Sequence, residues 1–233
     1  MLNRQGVKMQ RIILIIMLLM RATVIYSQNS CPGIPAVTYQ GRTYNTVQIG
    51  TQCWLKENLN VGKKIDGGSV QSDNGLIEKY CYNNDESNCD RYGGLYQWGE
   101  AVQYKDGASN NSSPRSAFSI QGICPNGWHI PTNAEFQTLG TSENNISNAL
   151  KEIGQGSGKG AGTNRSGFSA LLAGNRHYDG PFFTALGNFI YSWSSTQDDS
   201  AYAYVLILAY DNSKIYSCSY NKEFSFSVRC LKD

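Results

Sequence analysis

The stretch Cys124-Pro-Asn-Gly-Trp-His-Ile-Pro-Thr-Asn-Ala-Glu-Phe136 combines a cysteine, a tight turn, an apolar plug and the start of a helix. Pro125-Asn-Gly127 is typical of a turn, because proline fixes φ and glycine adopts a positive φ without steric cost. Trp128 and Ile130 then direct bulky apolar side chains towards a core. This stretch therefore predicts the centre of a folded domain.

A helix is predicted to begin directly after the plug. Pro131 cannot donate a ladder hydrogen bond, and Thr132 with Glu135 has the spacing of a capping box. The pattern that follows places two apolar residues on one side of the helix. We therefore expect this helix to carry Phe136 and Leu139 into the core.

The N-terminus has the pattern of a secretory signal peptide. An unbroken apolar run over residues 12–20 follows three basic residues, Arg4, Lys8 and Arg11. Ser27 is a small residue at a suitable cleavage point. The apolar run is about half of the roughly 20 residues that a membrane span needs. We therefore expect residues 1–27 to be a signal peptide, and we expect no transmembrane anchor.

Removal of this segment changes the charge balance of the chain. The full sequence has 20 basic and 18 acidic side chains, and residues 1–27 hold four of the basic ones and none of the acidic ones. The net charge therefore falls from +2 to −2. No basic patch remains, so the composition predicts no nucleic-acid partner.

Seven cysteines in an exported chain make disulfide bonds the expected state. Six cysteines allow 15 connectivities, and the sequence leaves the choice open. Our hypothesis has three pairs: Cys31–Cys53, Cys81–Cys89 and Cys124–Cys230. Cys218 is then left over. A metal site is the competing interpretation, which is disfavoured because the chain has two histidines and no C-x-x-C motif.

Residues 37–233 are predicted to form a single domain after a stiff leader at residues 28–36. The alternation of apolar and polar residues around Gln40-Gly41 predicts a hairpin over residues 37–49. A buried turn or short helix is expected at the apolar residues that follow, Trp54, Leu55 and Leu59. The polar composition of residues 63–88 indicates a loop.

Two more helices are predicted from apolar residues at helical spacing. The first covers residues 92–102 and would bury Leu95, Trp98 and Val102. The second would bury Ile146, Leu150 and Ile153. Residues 154–167 contain six glycines but lack the spacing of a phosphate-binding loop, so we expect a flexible surface loop there.

The last part of the chain is predicted to be β-structure. Three strands are expected to form a meander over residues 202–208, 214–219 and 224–231. In the last strand, Phe224, Phe226, Val228 and Cys230 alternate with Ser225, Ser227 and Arg229. This alternation predicts one apolar face and one polar face.

Four ordered motifs of the chain resemble a known family. They are Tyr44-Asn-Thr-Val-Gln-Ile-Gly-Thr-Gln-Cys-Trp-Leu-Lys-Glu-Asn-Leu59, Asn88-Cys-Asp-Arg-Tyr-Gly-Gly-Leu-Tyr-Gln-Trp98, Gly122-Ile-Cys-Pro-Asn-Gly-Trp-His-Ile-Pro131 and Ser227-Val-Arg-Cys-Leu-Lys-Asp233. Together they resemble the Fibrobacter succinogenes major paralogous domain over nearly all of the chain after residue 27. The resemblance implies an exported protein, secreted or held at the outer surface of a bacterium. It implies no reaction, because most members of that family have no assigned activity.

A looser similarity links the central stretch and the terminal Val228-Arg-Cys230 to the C-type-lectin-like fold. The same pattern occurs in formylglycine-generating enzymes and in the variable proteins of diversity-generating retroelements. The resemblance implies an α+β domain with small antiparallel sheets, two helices, long loops and stabilising disulfides. It does not carry over the activity of formylglycine-generating enzymes, because Cys218 and Cys230 are too far apart to match their copper-binding cysteine pair.

The sequence identifies no catalytic constellation. His129 lies within the apolar plug and is expected to be a packed structural histidine. His177 is expected in an exposed polar loop, where a ligand-contacting role stays open. Glu57 and Glu100 are single acids with no visible partner, so no glycosidase pair is identified. We therefore expect a protein that is not an enzyme.

Sugar binding through calcium is an open alternative. Calcium-dependent lectins of this fold show Glu-Pro-Asn or Gln-Pro-Asp and Trp-Asn-Asp motifs, and here Trp193-Ser-Ser stands in the place of the last. Asp198, Asp199 and Asp211 offer hard oxygen ligands, although solvated turns are expected of them. We therefore expect no metal and no cofactor, with Ca²⁺ as the alternative.

The tail is rich in tyrosine, serine, aspartate and asparagine. Tyrosine gives a large contact area at low entropic cost, and serine and asparagine adapt their hydrogen bonds, so these residues dominate antibody contact surfaces. The alternative is that they decorate the polar face of a sheet. The first interpretation predicts nine ligand-contacting residues: Tyr191, Asp198, Asp199, Tyr202, Tyr204, Tyr210, Asn212, Tyr216 and Tyr220.

These observations predict a secreted or cell-surface binding module whose ligand is a glycan or a protein. One alternative is a carbohydrate-associated accessory or enzyme-like domain. Another is a variable receptor diversified by a retroelement, because adenine-directed mutagenesis of AAY codons produces the same mixture of residues. A purely structural component of the cell envelope is the third.

Overall fold

The computed structural model describes residues 29–112 and 120–233, and the predicted signal peptide lies outside these ranges. Most of the regular structure described is β-sheet. The strands, in chain order, are β1 (Ala36–Tyr39), β2 (Arg42–Ile49), β3 (Gln52–Leu55), β4 (Lys63–Lys64), β5 (Glu78–Lys79), β6 (Trp128–His129), β7 (Ala173–Arg176), β8 (Phe183–Leu186), β9 (Phe189–Gln197), β10 (Tyr202–Ala209), β11 (Ile215–Asn221) and β12 (Leu231–Lys232).

The α-helices of the described ranges are short. They are α1 (Glu86–Tyr92), α2 (Trp98–Ala101), α3 (Asn133–Ser142) and α4 (Ser147–Leu150). Single 3-10 turns occur at Tyr82–Asn84, Lys105–Gly107 and Gly158–Gly160. No helix in this part of the chain has the length and hydropathy needed to cross a membrane.

The first sheet joins the early strands to the end of the chain, in the order β1-β2-β3-β12-β6. The predicted hairpin at Gln40-Gly41 is confirmed, because β1 and β2 pair in antiparallel register on either side of it. The expected turn or short helix at Trp54 is wrong. Trp54 lies in β3, where it pairs with Val47 of β2 and with Leu231 of β12.

The second sheet has the order β11-β10-β9-β7-β8. Its strands pair in antiparallel fashion except for β7 and β9, which are parallel. A separate parallel ribbon joins β4 to β5. The prediction of a disulfide-stabilised domain with antiparallel sheets and helices is thus confirmed in outline. In the described ranges the protein is mostly β-sheet, with few helices and three disulfide bonds.

Two hydrophobic clusters lie on either side of β10. Ala203, Val205 and Ile207 belong to the first cluster, whereas Leu206 and Leu208 belong to the second. Successive side chains of a strand point to opposite faces, so β10 is the wall between two cores. This position explains why its sequence is a continuous apolar run rather than an alternation.

The helix predicted after the central stretch is confirmed as α3. Thr132 accepts a hydrogen bond from the N–H of Glu135, whose side chain returns to the N–H of Thr132, so the capping box is complete. Phe136 and Leu139 are buried in the second cluster. The ring of Phe136 stacks on Trp54 with a centroid distance of 5.7 Å, which fastens α3 to the first sheet.

The helix predicted over residues 92–102 is largely wrong. The segment between α1 and α2 is extended, and Leu95 forms a β-bridge with Tyr80. A Cβ at Gly93 would lie 2.6 Å from the Cβ of Asn58, so glycine lets the two chain segments meet. The three predicted side chains are buried nevertheless: Leu95, Trp98 and Val102.

The second predicted pattern also forms less helix than expected. The helix α4 is a single turn, and only Leu150 of its three predicted apolar residues is buried. Ile146 is 41% exposed and Ile153 is 72% exposed. Two of the three apolar residues whose helical spacing predicted this helix are therefore at the surface.

The third strand of the predicted meander does not pair with β11. Residues 224–230 instead cross between the two sheets through isolated bridges to Tyr96, Arg176 and Ser192. The predicted apolar face enters the first cluster. The predicted polar face is also buried, which the alternation did not indicate, because Ser225, Ser227 and Arg229 are at most 1% exposed.

All three disulfide pairs of the hypothesis are confirmed. Cys31 bonds to Cys53, Cys81 to Cys89 and Cys124 to Cys230. The third bond joins the central stretch to the end of the chain across 106 residues of sequence. Cys218 has no disulfide partner and is exposed on β11.

Candidate functional site

The nine predicted contact residues lie on two faces and two turns of the second sheet. Opposed residues in the β9–β10–β11 register share a face, so Tyr191, Tyr216 and Tyr220 lie together with Cys218 on what we call the aromatic face. The opposite side is the helix face, because Ser217 there bonds to Asn133 of α3. It also carries Tyr202 and Tyr204. The turns hold the remaining four: Asp198, Asp199, Tyr210 and Asn212.

The aromatic face is partly closed by packing. The ring centroids of Tyr191 and Tyr220 are 5.6 Å apart, and Tyr191 stacks on Phe226 at 4.9 Å. Burial and the neighbouring Tyr220 raise the pKa of Tyr191 to about 12, so its hydroxyl stays protonated and able to donate. Tyr191 and Tyr220 therefore pack against the edge of the first hydrophobic cluster as well as lining the surface.

Three tyrosines present more of their surface to solvent. Tyr202 is 42% exposed, Tyr210 38% and Tyr216 39%. The hydroxyl of Tyr216 lies 3.4 Å from Oδ1 of Asn212, and the hydroxyl of Tyr204 lies 3.4 Å from Oδ1 of Asp198. Strand tyrosines and turn residues thus form two small polar groups, one at each end of β10.

A buried lysine holds the turn between β9 and β10. The Nζ of Lys222 donates to the carbonyl oxygens of Asp199 and Ser200, both at 2.9 Å, and to Oε1 of Gln197 at 2.8 Å. The ammonium group also lies 4.3 Å from the ring centroid of Trp98. Burial lowers the pKa of Lys222 to about 8. The backbone of the turn is therefore fixed from the inside.

A second buried lysine holds the turn between β10 and β11. The Nζ of Lys151 donates to the carbonyl oxygens of Ala209 at 2.6 Å and Asn212 at 2.9 Å. Burial lowers the pKa of this lysine also. The glycine-rich segment supports the same turn, because a Cβ at Gly160 would overlap with the carbonyl oxygen of Tyr210. That segment is a loop as predicted, but it is packed against the sheet.

The three aspartates proposed for calcium do not meet. Asp198 and Asp199 precede β10 and Asp211 follows it, and eight strand residues span about 26 Å at roughly 3.3 Å each. Oδ2 of Asp198 accepts from Ser219 at 2.8 Å, and Asp199 accepts from the N–H groups of residues 201 and 202. Within residues 29–112 and 120–233, no three metal-ligating side chains gather.

His129 is a packed structural histidine, as expected. Its Nδ1 lies 2.7 Å from Oδ1 of Asp233, and its Nε2 lies 3.0 Å from Oε1 of Glu135. Burial would lower the pKa of His129, but the hydrogen bonds to Glu135 and Asp233 outweigh it and raise the pKa. The histidine thus clamps the end of the chain to the capping box of α3.

His177 extends the aromatic face. It lies between β7 and β8, and its ring contacts Tyr178 at 4.4 Å and Phe224 at 4.8 Å between centroids. Phe224 in turn meets Tyr220 at 5.7 Å. A row of ring contacts therefore runs from His177 to Tyr191, and sequence reasoning did not connect its two ends.

Glu100 has partners that the sequence did not reveal. Its carboxylate is fully buried and accepts hydrogen bonds from the N–H of Glu78 at 3.0 Å, from Gln103 and from the hydroxyl of Tyr104 at 3.2 Å. Burial raises the pKa of Glu100 to about 7. Glu57 accepts from the N–H and side-chain amide of Asn45, both at 2.8 Å. Both acids therefore fix backbone segments.

Sequence reasoning missed a polar cleft of about 460 Å³ between the first sheet and α1. Arg42 of β2 and Asp90 of α1 form an ion pair in its lining. Its other charged side chains are Lys56, Glu57, Arg91, Glu152 and Arg229. These residues come from five separate parts of the sequence, so no local motif indicated the cleft.

Arg229 forms the floor of this cleft. Its Nη2 donates to Oδ1 of Asn58 at 2.7 Å, and its guanidinium lies over the ring of Phe168 with 4.3 Å between Cζ and the centroid. Burial lowers its pKa to about 10. Its Nε, Nη1 and Nη2 all donate inside the fold, and the other basic side chains of the lining are those of Arg42, Lys56 and Arg91.

The chain matches the family model described as the Fibrobacter succinogenes major domain over residues 47–232. The match begins within β2 and ends in β12, so it covers both five-stranded sheets apart from β1 and the first half of β2. No curated protein and no solved structure matches the chain. The match extends over more than half of the sequence, and the chain therefore belongs to the Fibrobacter succinogenes major domain family.

Proposed function

We propose that the chain is an exported, non-enzymatic binding module of the C-type-lectin-like type, whose ligand is a glycan or protein outside the cell. The carrying observation is that Tyr202, Tyr210 and Tyr216 are 38–42% exposed beside turns fixed by buried lysines. A ligand that contacts any one of these rings orders little additional backbone. Preorganisation of this kind favours affinity, because less conformational entropy is lost on binding.

Export is supported by two independent features. The described chain has three disulfide bonds, which persist mainly in oxidising compartments. Residues 1–27 have the pattern of a signal peptide. A binding module at the cell surface or in the medium agrees with both.

We propose that the chain is not an enzyme because its strongest acid–base candidates are held in structural hydrogen bonds or are buried. Both ring nitrogens of His129 bond to carboxylates, both oxygens of Glu57 bond to Asn45, and Glu100 is buried. A general base needs a lone pair within reach of its substrate. His129 and Glu100 use theirs inside the fold, and each oxygen of Glu57 already accepts a hydrogen bond from Asn45.

The first experiment tests the tyrosines. The chain without residues 1–27 would be applied to an array of bacterial and plant glycans and to a yeast-displayed library of peptides. We expect specific binding that falls at least tenfold in the triple variant Y202A/Y210A/Y216A. The matched control replaces two exposed apolar residues elsewhere, Val70→Ala and Ile153→Ala, which are 68% and 72% exposed.

Two results would count against the proposal. One is equal loss of binding in the control, which would show that any exposed apolar side chain suffices. The other is catalytic turnover of an array glycan, measured as release of reducing ends, since that would make the chain an enzyme.

A second candidate function, sugar binding in the polar cleft, is favoured by the cleft's lining. Its volume falls in the range of small-ligand sites, about 300–1,000 Å³. Lys56 and Arg91 would attract the carboxylate of an acidic sugar, while Tyr92 offers a ring. Calorimetry with a uronic acid oligosaccharide tests it: K56A/R91A should abolish binding, whereas Y202A/Y210A/Y216A should leave it unchanged.

The variable-receptor alternative makes a genomic prediction. A near-copy of the 3′ end of the gene, differing mainly at adenines and lying close to a reverse transcriptase gene, would support diversification of the tail. An adenine-independent pattern of differences would contradict it.

A further inference from the structure

The strand β11 is an edge strand without the usual protection. It pairs with β10 on one side, and no other described strand pairs with it on the other side. Natural edge strands are blunted by charged residues, proline or a bulge. The sequence of β11, Ile215-Tyr-Ser-Cys-Ser-Tyr-Asn221, has no charge and no proline, and its register with β10 is regular. Its outer backbone groups can therefore accept another strand.

The same strand is self-complementary about its midpoint. Residues 216–220 read Tyr-Ser-Cys-Ser-Tyr, which is unchanged when the order is reversed. In an antiparallel pair with a two-fold axis at residue 218, each tyrosine faces a tyrosine and each serine faces a serine. Like neutral residues opposed in this way pair without charge repulsion, and aromatic pairs across strands are favourable.

We propose that β11 pairs with β11 of a second copy of this chain, antiparallel and centred on Cys218. The second sheet then continues through the two-fold axis as one ten-stranded sheet. The outer edge of β11 forms the hydrogen bonds between the two copies. The aromatic faces of the two copies then lie next to each other on the same side of the joined sheet. This association goes beyond the proposed ligand binding and does not require it.

The register places two thiols opposite each other. Directly opposed residues of an antiparallel pair have Cα atoms about 4.5 or about 5.5 Å apart, and disulfides span about 4.4–6.8 Å. Cys218 is exposed and is the one cysteine of seven without an intrachain partner. A disulfide of low molecular weight, such as oxidised glutathione, supplies the oxidant: two thiols give up two protons and two electrons, and the small disulfide becomes two thiols.

The experiment compares thiols at two positions of the same face. The chain after residue 27 would be incubated with oxidised glutathione and examined by non-reducing electrophoresis and peptide mapping. We expect a covalent dimer joined through Cys218. The control is Y216C/C218S, whose thiols would lie four positions out of register, about 13 Å apart, and should form mainly glutathione adducts.

A second pair of variants tests the register without Cys218. The variant S217C/C218S/S219C should form covalent dimers that join residue 217 of one copy to residue 219 of the other. The single variant C218S should still dimerise without a covalent bond, as seen by light scattering across a concentration series.

The outcomes separate cleanly. Cross-linking of Y216C/C218S at the wild-type rate would mean that the thiols meet by random collision, and it would overturn the proposal. A C218S chain that stays monomeric at every concentration, together with a wild-type chain that yields glutathione adducts alone, would overturn it as well.

Discussion

At the scale of single residues, buried cations organise the loops of this protein. Lys151, Arg176, Lys222 and Arg229 are at most 1% exposed, and they donate hydrogen bonds to carbonyl or amide oxygens. Three of them also lie over an aromatic ring. A chain with few helices has many backbone carbonyls that lack ladder partners. A multivalent donor satisfies several of them at once.

Replacement of Lys222 by methionine should therefore destabilise the fold strongly. The substitution keeps the apolar stem but leaves the carbonyls of Asp199 and Ser200 without their donor. Each unsatisfied buried acceptor costs about 1–3 kcal/mol, so we expect the free energy of unfolding to fall by at least about 2 kcal/mol. Urea unfolding measures it. The exposed Lys214→Met is the control and should change stability by less than about 0.5 kcal/mol.

The clamp at His129 predicts a dependence of stability on pH. A histidine whose pKa is raised in the folded state stabilises fully below its ordinary pKa of about 6.5, and this contribution is lost as the pH rises through the folded value. Glu135 stays ionised in that window: burial opposes it, but hydrogen bonds from His129 and Thr132 lower its pKa. Wild type should therefore exceed His129→Gln in stability most clearly in mildly acidic buffer.

Urea unfolding of both proteins from about pH 5.5 to about pH 8.5 tests this. The difference in the free energy of unfolding should shrink as the pH rises. A difference that stays constant across the range would show that the ring acts through packing and not through its charge.

At the scale of elements, residues 224–230 show how far an alternation can mislead. Phe226 and Val228 were correctly predicted to face a core. The alternation also predicted a polar face with Ser225, Ser227 and Arg229, and in the structure that face is buried against β9 and the polar cleft. Alternation reports which residues share a face. It does not report what covers the polar one.

The glycine-rich loop provides an element-scale prediction. Gly160→Ala should lower the free energy of unfolding by more than about 2 kcal/mol, because its Cβ would collide with backbone of the β10–β11 turn and force both to shift. Gly154→Ala is the control. Gly154 has a φ of 88° and open space around it, so alanine there should cost only the strain of positive φ, about 1 kcal/mol. Chemical denaturation of the two variants measures which of them loses more free energy of unfolding.

A reversed order would contradict the packed description of this loop. Ligand binding through Tyr210 should also weaken in Gly160→Ala and not in Gly154→Ala, because only the former displaces the turn that carries this tyrosine.

At the scale of the whole molecule, one disulfide joins the first sheet's closing strands to the central stretch. The Cys124–Cys230 bond closes 106 residues of sequence, whereas Cys81–Cys89 closes eight. In the chain-entropy model the first restricts the unfolded chain by about 4.7 kcal/mol and the second by about 2.5 kcal/mol. We therefore expect C124S/C230S to lose about 2 kcal/mol more than C81S/C89S in urea unfolding. Equal losses would contradict the entropic origin of this difference.

The sequence by itself determined the elements that depend on neighbours along the chain. The capping box at Thr132, the hairpin at Gln40-Gly41 and the burial of Trp128 each follow from a few adjacent residues. The three hypothesised cysteine pairs are confirmed as well, but the sequence alone left their connectivity open.

Only the tertiary structure decided the rest. The hydrogen-bond partners of Lys151, Lys222 and Arg229 lie 22 to 171 residues away in the chain, and the lining of the polar cleft comes from six separate segments. The division of the predicted tyrosines between two faces depends on the register of β9, β10 and β11. Which strands pair, and in what register, depends here on residues distant in sequence, because the backbone groups that join strands are the same for almost every residue.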